Sequence, residues 1–170
     1  NILFVKRFLV IFGLLALVNC SFSDNKNDKS EIFSCPNIYF SAEHKTYVKS
    51  RDANSDLSFS NISYKASLNN FIFNEKCGEK NSFKIYPLDI LILTEPFNPI
   101  NDEIEIPLFV HLYDEKNNIV DRQYFKINGS LSYDKKNKDY NLGELTDRLI
   151  IVSESDELIT SIVIGLIKIN

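Results

Sequence analysis

From Cys35 onward, apolar and polar residues alternate with a period of two, the pattern of half-buried β-strands. Ile38 and Phe40 open it. Leu57 and Phe59 share one parity, while Ile62, Tyr64 and Ala66 share the other, which predicts a β-bulge near 60–62. Phe71 and Phe73 alternate before Cys77, and Phe83 and Ile85 lead into Tyr86-Pro87 and then Leu88, Ile90 and Ile92. The cleanest run is Ile104, Ile106, Leu108, Val110 and Leu112. Asp114-Glu115-Lys116-Asn117-Asn118 has the length of a hairpin turn, and Ile119 to Ile127 returns as its partner strand. Asn128-Gly129 predicts a further turn, and Asp134 to Asn141 a charged loop. Leu145–Val152 and Ile159–Ile169 read as two more strands. A short helix over Glu144–Ile151 is disfavoured by the β-branched run Ile150-Ile151-Val152.

About seven strands separated by turn signals predict an all-β fold, an antiparallel sandwich of immunoglobulin-like or fibronectin-III-like type. The likeness is to that architecture and not to antibody domains. The chain has no Trp, and Cys35 and Cys77 are not spaced as a pin between sheets. A lipocalin-type barrel is the structural alternative.

The chain ahead of this region has a different grain. Lys6-Arg7 precede an unbroken apolar run from Phe8 to Val18, followed by Asn19-Cys20. A basic start, an apolar centre and a small-residue close are the parts of a secretory signal. Leu17-Val18-Asn19-Cys20 resembles the lipobox of bacterial lipoproteins, whose cysteine receives a diacylglycerol and becomes the first mature residue. A signal anchor and an ordinary cleaved signal compete with this reading. A run of about 11 apolar residues is short for a span, which needs about 20. Extending it back through Ile2-Leu3-Phe4-Val5 would bury Lys6 and Arg7 in lipid. The expected organisation is a signal peptide over 1–19, a lipidated Cys20 with a flexible tether over 20–34, and a β-sandwich over 35–170. As a coil, the polar stretch from Ser21 to Ser34 would reach roughly 20 Å.

Composition narrows the partners. The net charge is −4, and setting aside Lys6 and Arg7 leaves −6 for the remainder. No Lys/Arg cluster interleaved with aromatics is present, which argues against nucleic acid. Acidity gives no attraction to anionic lipid, so membrane attachment would rest on acyl chains at Cys20, two or three of which hold stably. With Cys20 assigned to lipid, Cys35 and Cys77 remain as an even pair in an oxidising compartment, which predicts one disulfide, with two free buried thiols as the alternative. The bridge would close a loop of about 42 residues and stabilise the fold by about 4 kcal/mol on chain entropy alone.

Motifs of catalysis are scarce. His44 and His111 are the only histidines, and His111 lies on the solvent parity of its strand. There is no Gly-x-Ser-x-Gly, phosphate loop or His-Glu-x-x-His. Asp102-Glu103-Glu105 and Glu154, Asp156, Glu157 are carboxylate clusters without the spacing of a calcium loop. Asn61-Ile62-Ser63 and Asn128-Gly129-Ser130 match the glycosylation sequon, which carries meaning only in a eukaryotic secretory setting. Pro96, Phe97, Pro99 and Ile100 form an apolar connection that is a candidate partner patch, and Tyr133 and Tyr140 flank the charged loop.

Several short motifs together resemble a family of uncharacterised alphaproteobacterial lipoproteins. Cys35-Pro36-Asn37-Ile38 matches a Cys-Pro that follows the family's lipobox, and Cys77 matches its second cysteine. Pro107-Leu108-Phe109-Val110-His111-Leu112-Tyr113-Asp114 resembles its Pro-x-Phe-Val-x-Val-x-Asp strand and turn. Asp121-Arg122-Gln123-Tyr124-Phe125 resembles the return strand, and Val163-Ile164-Gly165-Leu166-Ile167 the last one. Where the family has Gly-Pro-Ala, this chain has Glu95-Pro96-Phe97 and keeps only the proline. The resemblance implies a lipid anchor, the disulfide and a β-sandwich, and it implies no activity. The expectation is a non-enzymatic bacterial envelope lipoprotein, without cofactor or metal, on the outer membrane facing the periplasm. It would act as an adaptor or structural subunit with a protein partner. A carrier of a small apolar ligand in a barrel cavity is the alternative.

Overall fold

A computed structural model describes residues 31–52, 58, 60–97, 102–131 and 142–168. Lipobox residue Cys20, the bulge-flanking Leu57 and Phe59, the patch residues Pro99 and Ile100, and Tyr133 and Tyr140 lie outside the described residues. Ten strands are present among those described: β1 (Glu31–Phe33), β2 (Asn37–Phe40), β3 (Thr46–Ser50), β4 (Ile62–Ile72), β5 (Cys77–Lys80), β6 (Phe83–Pro96), β7 (Asp102–Tyr113), β8 (Ile119–Leu131), β9 (Gly143–Ser153) and β10 (Ser161–Leu166).

They form two sheets, neither closed into a barrel, so the barrel alternative gives way to a sandwich-like all-β fold. In the first sheet β6 is central. It pairs with β9 along one side; on the other it pairs with β5 and then β4, which carry β1 and β3 on their outer edges. The second sheet has the order β2-β10-β7-β8. All ladders are antiparallel except β2 with β10, which is parallel.

The alternation read from the sequence becomes the core. Ile106, Leu108, Val110 and Leu112 of β7 are fully buried, as are Leu88, Ile90 and Ile92 of β6, so the two central strands supply its middle. Ile162, Ile164 and Leu166 of β10, with Leu149 and Ile151 of β9, complete the layer. Each such side chain stabilises the fold by about 1.5–3 kcal/mol relative to exposure.

Two prolines lie inside central strands, where a ladder N–H is normally needed. Pro87 falls in the gap along β6 between the pairings with β5 and with β4. Pro107 lies just past the last β10 partner, and its carbonyl accepts the Ile167 N–H at 2.9 Å.

The structure departs from the expected strand map in three places. β1, β3 and β5 are three to five residues long and too short to show a period, which raises the count from about seven to ten. β1 also falls within the stretch read as tether. Asn128-Gly129 does not turn: both residues lie in β8, opposite Glu105 and Ile104. Gly129 is there for closeness, because a Cβ would stand 2.5 Å from Leu145 Cδ2. The bulge expected near 60–62 has a counterpart where the β3–β4 register shifts, between Lys49 opposite Tyr64 and Ser50 opposite Ile62.

The hairpin turn is as expected. Asp114 Oδ1 accepts the N–H groups of Lys116 and Asn118, both at 2.8 Å, and Asn117 takes a left-handed φ of 61°. These bonds hold the Asp114 carboxyl below its usual pKa, with the Asn118 side-chain amide the leading cause.

Cys35 and Cys77 are disulfide-bonded, with their Cα atoms 5.2 Å apart. Cys35 lies where the chain leaves β1 for β2, that is, where it crosses from the first sheet to the second. Cys77 is the fully buried first residue of β5. The bridge therefore fastens the N-terminal crossing to the first sheet, and the Phe33 ring packs edge-on against Tyr86 beside it.

Candidate functional site

The outer face of the second sheet carries the most distinctive cluster. Side chains of β7 alternate, so with Leu108, Val110 and Leu112 in the core, Phe109 and His111 point outward. The ladders then set out two rows. Tyr39, Val163, His111 and Arg122 lie across β2, β10, β7 and β8, and Gly165, Phe109 and Tyr124 lie beside them. Tyr39 and Tyr124 are exposed to 55% and 68%.

Both histidines converge on one ring. His44, in the turn between β2 and β3, meets Phe109 edge-on with centroids 5.3 Å apart, and His111 lies tilted against the same ring at 4.5 Å. Gly165 makes the arrangement possible, since a Cβ there would stand 2.4 Å from Phe109 Cζ and 2.7 Å from His44 Cβ. His44 is strapped to the end of β10. Its carbonyl accepts the Leu166 N–H at 2.7 Å, and its Nδ1 lies 3.2 Å from the Leu166 carbonyl, which can only accept. Burial, followed by the nearby Arg122 guanidinium, pushes the His111 imidazole below its usual pKa, so it is neutral at neutral pH.

The outer face of the first sheet mixes an ion-pair cluster with exposed apolar side chains such as Ile150 and Val152. Arg148 of β9 donates from Nε to Asp89 Oδ1 and from Nη1 to Glu75 Oε1, both at 2.8 Å, and Asn74 also donates to Asp89. The Arg148 hydrogen bond leads in holding the Asp89 carboxyl below its usual pKa.

Other residues singled out in the sequence are dispersed. Pro96 is buried at the end of β6 opposite Tyr64, and Phe97 is half-buried with its N–H on the Ser63 carbonyl. Glu105 pairs with Lys126 at 2.8 Å, and Glu103 is exposed in β7. Glu154, Asp156 and Glu157 are exposed between β9 and β10. No group of three or more metal-ligating side chains occurs among the described residues. Two open grooves stand at the β8 side, of about 560 Å³ beside Glu103 and Ser130 and about 520 Å³ beside Gln123 and Glu154. Both are solvent-facing rather than enclosed. No helix among the described residues is long and apolar enough to cross a membrane.

The sequence identified His111 as outward-facing but did not join it to His44. That meeting depends on the β2–β3 turn folding over β10, which no local pattern encodes. The outward parity of Phe109 and His111 was the available signal.

No protein-family model, curated protein or solved structure matches the chain.

Proposed function

We propose that the protein is a membrane-anchored lipoprotein, lipidated at Cys20 and facing the periplasm. It serves as a non-enzymatic adaptor or structural subunit of a bacterial envelope assembly. Residues 1–19 form the signal peptide and Cys20 carries the anchor, in the outer membrane. The domain is read as immunoglobulin-like or fibronectin-III-like in the broad sense, and two packed, mainly antiparallel sheets support that reading.

One observation carries the adaptor role: the exposed aromatic face of the second sheet, where Tyr39 and Tyr124 flank a Phe109 ring held between two histidines. Exposed aromatics grouped on a rigid sheet are the usual anchors of protein interfaces. The test is photo-crosslinking in cells, with the photoreactive residue placed at Tyr39, at Tyr124, and at Ile72 on the first sheet as control. The expected result is a discrete envelope protein captured from Tyr39 and Tyr124 but not from Ile72. Capture of the same mixture from all three sites, or of nothing, would refute the adaptor reading.

A further inference from the structure

The two longest edges without a ladder partner among the described residues belong to β8 and β9, each paired with a neighbouring strand on one side only. Such an edge presents a row of N–H and C=O groups on which another chain can build a strand.

Both edges carry the same dipeptide, Asp121-Arg122 in β8 and Asp147-Arg148 in β9. In each, the aspartate folds onto the next residue's backbone. The Arg122 N–H donates to Asp121 Oδ1 at 2.7 Å, and the Arg148 N–H to Asp147 Oδ1 at 2.8 Å. Backbone groups turn to the same side at every second residue, so Val152 marks the direction in which Arg148 points. The Val152 carbonyl accepts Gln123 Nε2 from β8 at 2.6 Å, away from β6, so the Arg148 N–H belongs to the free edge. A third case lies on β4 beyond Ser67, the last residue that β3 covers from Thr46. There the Phe71 N–H donates to Asn70 Oδ1 at 2.9 Å.

The edge needs such closure because its outward row is self-complementary. That row reads Leu142, Glu144, Thr146, Arg148, Ile150. Two copies paired antiparallel about a two-fold axis through Thr146 would set threonine against threonine. They would also set Glu144 against Arg148 of the second copy, and Leu142 against its Ile150. Leu142 and Ile150 are both exposed. Threonine, opposite-charge and apolar cross-strand pairs are all favourable. Arg148 has five N–H donors and uses three on Asp89 and Glu75, so it retains donors for a further carboxylate. In that register the Arg148 N–H would have to pair with the second copy, and Asp147 already holds it.

We propose that Asp147 is an edge guard, which closes the Arg148 N–H and keeps a second copy of this chain from adding its β9 edge to this one. The guard works because a side-chain oxygen already holds the N–H that a carbonyl of the second copy would need, as the Asn70 amide oxygen holds the Phe71 N–H. The inference concerns the domain alone and does not depend on the anchoring reading.

The test is the mass of the full chain by sedimentation in detergent, across a concentration series, with folding checked by circular dichroism. The unmodified chain and Asp147→Asn, which keeps an acceptor oxygen, are expected to be monomeric. Asp147→Ala is expected to dimerise, and adding Thr146→Lys, which sets like charges on the axis, should restore the monomer. Should Asp147→Ala unfold, Asp147→Val removes the acceptor with a strand-forming residue. A folded acceptor-free variant that stays monomeric overturns the proposal. So does its dimer if Thr146→Lys leaves it intact, and so does a dimer of the unmodified chain that Thr146→Lys dissolves.

Discussion

Gly165 is where one missing side chain decides the local structure. It lies on the outward parity of β10 yet is buried, because Phe109 and His44 close over it. Gly165→Val should force that ring off the sheet and destabilise the domain by about 1–3 kcal/mol, read as a lowered thermal midpoint. A variant as stable as the parent would show that the cluster is loose. Tyr64 and Tyr86 make a different prediction. Burial raises both phenols from 10.0 to about 12, with the negative charge of neighbouring groups adding to it. The unfolded chain releases these protons first, so their contribution to stability is complete below pH 10.0 and is lost as pH rises toward about 12. Phenolate absorbance followed beside circular dichroism should show these two tyrosines ionising together with unfolding. Their titration at pH 10.0 in a folded chain would contradict their burial.

At the level of elements, the disulfide gives the sharpest expectation. Cys35 and Cys77 stand 42 residues apart, and replacing both by serine should cost about 4 kcal/mol in denaturant unfolding. A loss near zero would mean that β1 and β5 hold without the bridge. The long strands were legible in the sequence because their core positions repeat. Ile104 through Leu112 needed only the period, and Asp114 needed only its turn chemistry. The short strands β1, β3 and β5 were not legible, since three to five residues hold too few alternations and their place is set by partners distant in sequence. Asn128-Gly129 misled for a physical reason: glycine serves a turn and a close approach equally well, and only the contact with Leu145 decides between them. The candidate site was legible in half. The outward parity of His111 could be read, but the route that brings His44 onto Phe109 could not.

The molecule as a whole presents two sheet faces to its surroundings. The first sheet shows the Arg148–Asp89–Glu75 ion pairs, and the second an aromatic surface around Phe109. Exposed ion pairs contribute little to stability, whereas exposed tyrosines grouped on a sheet invite contact. How the domain is held is tested most directly by mass spectrometry of the protein purified from the membranes of cells that make it. The proposed anchoring predicts an N-terminal peptide that begins at Cys20 and carries two or three acyl chains. A chain that retains Lys6-Arg7 and the apolar run, or one that begins elsewhere with Cys20 unmodified, would contradict it.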